Sequence, residues 1–164
     1  MEKNIVLIGM MGCGKSTIGA RLAQRLGREL VDTDALIEKR EGRSIPDIFA
    51  REGEEHFRAL EQAAAEELAA RRGLVIACGG GLPLREGAMA PLKASGRVVW
   101  LRRDPAQTYD SMDTAGRPLA QHGREAFLER FAQREPVYRR WADLIVEDFS
   151  SPEATLHAVL EGTT

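Results

Sequence analysis

The feature that most narrows the folds open to this chain is the octet Gly9-Met10-Met11-Gly12-Cys13-Gly14-Lys15-Ser16, followed by Thr17. It satisfies the pattern G-x-x-x-x-G-K-[ST]. It also stands between a short apolar run, Asn4 to Gly9, and a segment at 15–27 whose apolar residues recur at helical spacing until Gly27 stops it. Strand, glycine-rich turn and helix in that order make a cradle for phosphate. Bare glycines let successive N–H groups converge on phosphate oxygens, and the positive end of the helix adds to the field. Lys15 brings a compact cation to the β and γ phosphates of a nucleoside triphosphate, and the Ser16 hydroxyl is a ligand for Mg²⁺. Only four basic residues are lysines (Lys3, Lys15, Lys39 and Lys93) and the other 19 are arginines, so a lysine in this loop is not background. The motif points to ATP or GTP and leaves the phosphoryl acceptor open.

The rest of the chain alternates strands with helices. Glu29 to Val31, Leu74 to Cys78, Arg97 to Leu101 and Asp143 to Val146 are further short apolar runs suited to strands buried on both faces. Between them, Asp34 to Arg40 reads as a helix stopped by Gly42, and Ser44-Ile45-Pro46-Asp47 as a helix start with proline in its first turn. Glu54 to Arg72, Gly123 to Arg140 and Pro152 to Glu161 complete the helices. This alternation predicts a parallel sheet covered on both faces, a three-layer α/β/α domain with five strands. The 164 residues match one domain, and no repeat or linker divides them, so residues 1–164 form a single unit.

Composition excludes several classes. With 43% hydrophobic and 29% charged residues the chain is too apolar for disorder. A balance of 23 basic against 25 acidic residues gives a net charge of -2 and no reason to expect nucleic-acid or anionic-membrane binding. No run approaches a membrane span, and the start from Ile5 to Ile8 is broken by glycines and Lys15 without a cleavage site. Two cysteines, Cys13 and Cys78, in no metal-binding spacing, fit a reduced compartment. A cytoplasmic protein is expected.

Three further segments carry chemistry. Asp32-Thr33-Asp34 follows the second strand, where strand ends of an open parallel sheet face the ligand crevice. One carboxylate there would serve the Mg²⁺ shell and the other the attacking hydroxyl; the plainer reading is a helix N-cap, and the two are compatible. Cys78-Gly79-Gly80-Gly81 ends the third strand and is poor strand and poor helix, as expected for close approach of a substrate or for a tight turn. Residues 111–123 lack apolar periodicity and read either as a lid or as an incidental surface loop.

Together these elements resemble the shikimate kinases, a branch of the nucleoside-monophosphate-kinase-like phosphate-loop fold. The resemblance extends to Phe57-Arg58, to Arg117-Pro118-Leu119 and to Arg134-Glu135-Pro136-Val137-Tyr138, and covers nearly the whole chain. It implies a sheet order 2-3-1-4-5, a substrate-binding helical region at about 33–61 and a lid at about 111–124. It further implies ATP-dependent phosphorylation of shikimate to shikimate 3-phosphate in aromatic amino-acid biosynthesis, with Mg²⁺, by a monomer. Gly12, Cys13, Gly14, Lys15, Ser16, Thr17 and Arg117 would bind ATP, and Ser16 and Asp32 would hold the metal. Asp34 would meet the shikimate hydroxyls as base or orienter, Arg58 and Arg134 would grip the carboxylate, and Gly79, Gly80 and Gly81 would bring backbone to the ring. Lys15, Asp34 and Arg117 would carry the catalysis.

Other readings stay open on the sequence. The acceptor of a kinase of this fold would instead be gluconate or a nucleotide, or the chain would be a non-catalytic ATP-binding module. Taken alone, each arginine is a solvated helix or loop residue. Cys13 is a small filler or, at a helix N-terminus, a redox-sensitive thiol. His56, His122 and His157 form no cluster, and Trp100 and Trp141 read as packing residues. The chain also departs from the family pattern. Many members carry an arginine a few residues before the lid arginine, where it packs the adenine, but this chain reads Gln107-Thr108-Tyr109-Asp110-Ser111-Met112, which leaves Arg102 or Arg103 for the task. Ala120 stands where a second leucine is common, and Arg139-Arg140-Trp141 where an acidic residue is usual.

Overall fold

Five apolar segments pair as parallel strands in the computed structural model, which describes residues 2–111 and 123–163. The strands are β1 (Asn4–Ile8), β2 (Glu29–Asp32), β3 (Leu74–Ala77), β4 (Gly96–Leu101) and β5 (Leu144–Val146), in the order β2-β3-β1-β4-β5. The helices are α1 (Lys15–Leu26), α2 (Thr33–Glu41), α3 (Ile45–Glu52), α4 (Glu54–Ala69), α5 (Glu86–Ser95), α6 (Pro105–Ser111), α7 (Gly123–Trp141) and α8 (Pro152–Thr163), with a 3₁₀ turn at Leu82–Leu84. Central β1 is flanked by β3 and β4. The chain therefore leaves β1 toward one edge and later crosses to the other, which opens a crevice beyond the C-terminal ends of these strands.

Strand residues alternate between two cores. Val6, Ile8, Ile76, Val98 and Trp100 face one side and bury against Leu68 of α4, Met89 and Leu92 of α5 and Phe131 of α7. Ile5, Leu7, Val75, Val99 and Leu101 face the other and meet Ile18 and Leu22 of α1 and Leu156 and Val159 of α8. A third, smaller cluster of Ile37, Ile48, Phe57 and Ala64 holds α2 and α3 to α4. That cluster spans residues 37–64 and so overlaps the region 33–61.

Two helices depart from the sequence reading, which left 82–95 and 102–110 without elements. Pro83, Gly87 and Pro91 hide α5. A proline inside a helix costs about 3 kcal/mol, but burial of Met89 and Leu92 returns roughly 1.5–3 kcal/mol each. Tertiary packing decides. Helix α6 is a short turn begun by Pro105, with Asp104 accepting from the Gln107 N–H.

Helix α4 stops at Ala69, three residues before the expected Arg72, with no glycine cap. The buried Asn4 side chain explains the stop. Its amide donates to the carbonyls of Leu68 (3.3 Å) and Arg71 (2.9 Å), and its oxygen accepts from the Leu74 N–H (2.9 Å). One side chain thus joins the end of α4, the start of β3 and central β1. Asn4→Ala leaves the Leu74 N–H and the Arg71 carbonyl without these partners, an expected loss of about 2–4 kcal/mol. Urea unfolding reads it as a lower midpoint at unchanged slope; a midpoint equal to wild type removes Asn4 from this role.

Candidate active site

The turn from β1 into α1 is set by steric necessity at Gly9. Its φ is 153°, and a Cβ there would lie 2.8 Å from Cys13 Sγ and 2.9 Å from the Leu101 carbonyl oxygen. Gly14 (φ 99°) then caps α1 without a side-chain hydrogen bond, so the first N–H groups of the helix face the turn. Lys15 curls over the loop, its Nζ donating to the Gly9 carbonyl (2.6 Å) and the Met10 carbonyl (2.9 Å). Cys13 is buried inside the loop with its sulfur 3.8 Å from Lys15 Nζ.

Asp32 caps α2, the plainer of its two sequence readings, and also meets Ser16. One carboxylate oxygen accepts from the Ala35 N–H (3.1 Å) as the N-cap of α2, and the other accepts from the Ser16 hydroxyl (3.0 Å). Ser16 and Asp32 are thereby joined across two strands. Thr33 turns inward, and its hydroxyl oxygen accepts from the Gly79 N–H (2.9 Å), tying the start of α2 to the end of β3.

The glycine triplet is where the structure gathers charge. An added Cβ at Gly79 would lie 2.5 Å from Asp34 Oδ1, at Gly80 3.1 Å from Arg134 Nη1, and at Gly81 2.8 Å from Arg58 Nη2. Asp34 of α2, Arg58 of α4 and Arg134 of α7 therefore stand close over backbone, where an added methyl group would displace their charged ends. Lys15, Ser16, Asp32, Asp34, Gly79 and Gly80 share one cavity of about 270 Å³. Burial, and next the Asp32 carboxylate, push the Asp34 carboxyl above its usual range, while Lys15 pulls it back.

Three site residues escaped the sequence reading. Glu61, 1% exposed, accepts from Arg58 Nη1 at 2.8 Å; burial raises its carboxyl against the opposing pull of that hydrogen bond. The Tyr138 hydroxyl donates to the Gly80 carbonyl at 2.7 Å, from the helix that carries Arg134. Thr33 is the third. The spacings i, i+3 from Arg58 to Glu61 and i, i+4 from Arg134 to Tyr138 were available as signals, since both place side chains on one helix face.

A second cavity, of about 370 Å³, lies on the other side of the phosphate loop, against Gly12, Cys13 and Thr17. Ile18, Phe149 and Pro152 line it, as does Arg103, which donates to the Gly12 carbonyl at 3.2 Å. Arg102 points elsewhere, to Glu135 and Glu147. Arg117 and most of the segment expected as a lid, 112–122, lie outside the described residues. Among the described residues no three His, Cys, Asp or Glu side chains group closely enough to hold a metal ion.

A family model described as shikimate kinase matches residues 11–163. The shikimate kinase of Pseudomonas entomophila is 44% identical over 163 residues, covering 97% of this chain and 95% of that protein. That of Sulfurihydrogenibium sp. is 39% identical over 159 residues, covering 96% of each. Among solved structures, shikimate kinase from Acinetobacter baumannii in complex with shikimate aligns with a TM-score of 0.89 at 35% identity, covering 98% of this chain and 92% of that one. Shikimate kinase from Bacteroides thetaiotaomicron aligns at 0.87 with 27% identity, covering 97% of both chains.

The bare triplet yields a direct test. Gly79→Ala places a methyl group against the Asp34 carboxylate, so that carboxylate must swing away from Gly79. Its pH titration, followed by ¹³C NMR, is expected to move back toward the ordinary range as Asp34 gains solvent, while affinity for a nucleotide at the phosphate loop changes by less than about threefold. An unchanged Asp34 titration shows that the triplet yields instead.

Proposed function

The chain belongs to the shikimate kinase family, and on that premise we propose how its own residues divide the work. The reaction is transfer of the γ-phosphoryl group of ATP to the 3-hydroxyl of shikimate, giving shikimate 3-phosphate and ADP in aromatic amino-acid biosynthesis. The observation that carries the assignment is the meeting of Asp34, Arg58 and Arg134 over the glycine triplet, beside Lys15. A carboxylate-bearing polyol needs both kinds of partner. Two guanidinium groups suit its carboxylate, because their planar forks donate paired hydrogen bonds. A carboxylate suits its hydroxyls.

Phosphoryl transfer asks for positioning and charge neutralisation rather than covalent help. The loop N–H groups and Lys15 hold the phosphates. Asp34 orients the attacking hydroxyl and takes its proton, a task helped by a pKa raised toward the working pH. Mg²⁺, when bound with the nucleotide, neutralises phosphate charge. Ser16 and Asp32, 3.0 Å apart, offer the hard oxygen donors that Mg²⁺ prefers, and a pair suffices for an ion that keeps water and phosphate ligands. The adenine falls in the second cavity, against Arg103, Phe149 and Pro152, which supply an apolar wall and a cation able to stack. The lid reading is kept for 111–124, with Arg117 reaching the phosphates, and 33–61 is the acceptor-binding region of a single kinase domain. Among the described residues no helix is long and apolar enough to cross a membrane, and the cytoplasmic location is kept as part of the proposal. Leu84, the one exposed large hydrophobic residue there, offers little surface for assembly and supports a monomer.

Coupled ADP release with Mg-ATP, comparing shikimate with quinate, gluconate and nucleoside monophosphates, tests the reading. Shikimate alone is expected to stimulate strongly; no stimulation by any acceptor, with ATP still bound, turns the site into a nucleotide-binding module.

Asp34→Asn is expected to lower kcat by roughly 10²–10⁴-fold while ATP binding persists. Wild-type kcat/KM should rise with pH through a pKa above the ordinary 3.8, and the variant should lose that limb. The stability effect has the opposite sense. The folded state holds the Asp34 proton more tightly than the unfolded chain, so stability falls as pH rises from the ordinary value through the raised one. At neutral pH the variant should melt higher than wild type. A lower melting temperature refutes the burial cost assigned to Asp34.

Arg134→Ala should raise the shikimate KM roughly 10–100-fold with little change for ATP. Equal losses for both ligands place Arg134 outside the carboxylate site.

A further inference from the structure

Helix α7 carries Arg134 through a weakened stretch of backbone. Pro136 lies inside it and has no N–H to give the Ala132 carbonyl, and the residue before a proline is disfavoured in helical geometry. That residue is Glu135, the neighbour of Arg134. The helix's own hydrogen bonds are therefore poorest where the site needs Arg134 held over Gly80.

External contacts brace this turn from two directions. On the Arg134 stripe, Tyr138 donates to the Gly80 carbonyl. On the next stripe, about 100° around the helix, Glu135 is held by Arg102 at 3.3 Å from outside the helix and by Arg139 at 3.3 Å from within it. Arg102 comes from the end of β4, and its other nitrogen reaches Glu147 at 3.3 Å beyond β5. Its guanidinium lies 5.5 Å from the Trp100 ring centre and 5.4 Å from that of Phe131. It is 26% exposed and Glu135 31%, so the pair is better shielded than a surface bridge, and Arg102 Nε is buried with no hydrogen-bond partner. That orphan donor is a cost that stacking and the two carboxylates offset.

A helix pinned along one stripe can roll about that pin; pins on two stripes fix its rotation. We infer that Arg102 is a positioning residue for the acceptor site: through Glu135 it sets the rotation of the Pro136-weakened turn of α7, and thereby the seat of Arg134 over Gly80. The inference rests on the reading that Arg134 binds the shikimate carboxylate. Arg102 itself touches neither substrate. It differs in this from Arg103, which faces the phosphate loop.

Arg102→Met keeps a long side chain on the two rings and removes the fork, and Glu135→Gln removes the opposite charge. Each is expected to raise the shikimate KM about tenfold with the ATP KM and kcat within about twofold, and the double variant to be no worse than the poorer single one. Arg102→Lys should recover part of the loss. Glu147→Gln, which loosens only the far end of the fork, should leave the shikimate KM unchanged. The Nε–H signal of Arg134 in ¹H–¹⁵N spectra of the free protein, identified by its loss in Arg134→Lys, should shift or broaden in Glu135→Gln. That last readout needs no acceptor. Wild type inert toward shikimate would defeat the functional reading, while an unmoved Arg134 signal would defeat the positioning role. Parallel rises in both KM values with a lower melting temperature, or additive single effects, would reduce Arg102 to a structural bridge and overturn the inference.

Discussion

Three charged side chains from three helices meet over a stretch of backbone that carries no side chains, and most of the architecture serves that meeting. Asp34, Arg58 and Arg134 each come within contact of where a Cβ of the glycine triplet would stand. No single element could deliver them. Helices α2 and α4 are locked to each other by the small cluster around Ile37 and Phe57, and α7 is locked to the sheet by Phe131, Tyr138 and Trp141. The triplet follows β3, which is fixed in register between β1 and β2. Glycine at these positions thus lets the three charges sit closer to the backbone than a side chain would allow.

Such a gathering is electrostatically expensive, and the structure shows how the cost is contained. Arg58 rests on the buried Glu61 and on Glu54, and the positive charges of Lys15 and Arg58 offset part of what burial costs Asp34. Buried carboxylates in turn prefer to be neutral, and both Asp34 and Glu61 are pushed upward by burial. Arg58 and Glu61 are paired with each other, whereas Arg134 meets the Met10 sulfur at 3.9 Å, and an anionic ligand would give it a charged partner. Sites of this kind trade stability for affinity.

The features legible in the sequence were those fixed by local chemistry. Strands buried on both faces read as continuous apolar runs, and glycine punctuation marked the phosphate loop, the triplet and several helix ends. Asp32 was legible as the cap of α2, because a carboxylate just before a helix start accepts from its first free N–H groups. Features decided by tertiary packing were illegible. Pro91 concealed α5, whose helical geometry is sustained by burial of Met89 and Leu92. Glu61 looked like one more charge on an alanine- and glutamate-rich helix, and its importance comes from being buried. Arg102 and Arg103 were equivalent as candidates because adjacent residues differ only by which way a strand end sends them. The pleat separates them: Arg102 continues the face of Trp100 toward α7, and Arg103 continues the face of Leu101 toward the phosphate loop.

On the proposed reading, that same alternation would sort the substrates. The cavity proposed to take the transferred phosphate and the acceptor lies among the phosphate loop, the start of α2 and the first two glycines of the triplet. The cavity assigned to adenine opens on the side backed by α1 and α8, where Leu7, Val99 and Leu101 point. With ATP and shikimate placed as proposed, the phosphate loop is the ridge between them, and Gly12, Gly14 and Thr17 line both cavities. The triphosphate would run over the C-terminal edge of β1 from one face of the sheet to the other, so that its last phosphate reaches the acceptor side while the base stays behind. A turn able to bend so tightly around Gly9 is what permits two ligands to approach one phosphorus from opposite faces. The strand order that places β1 at the centre makes both faces available to it.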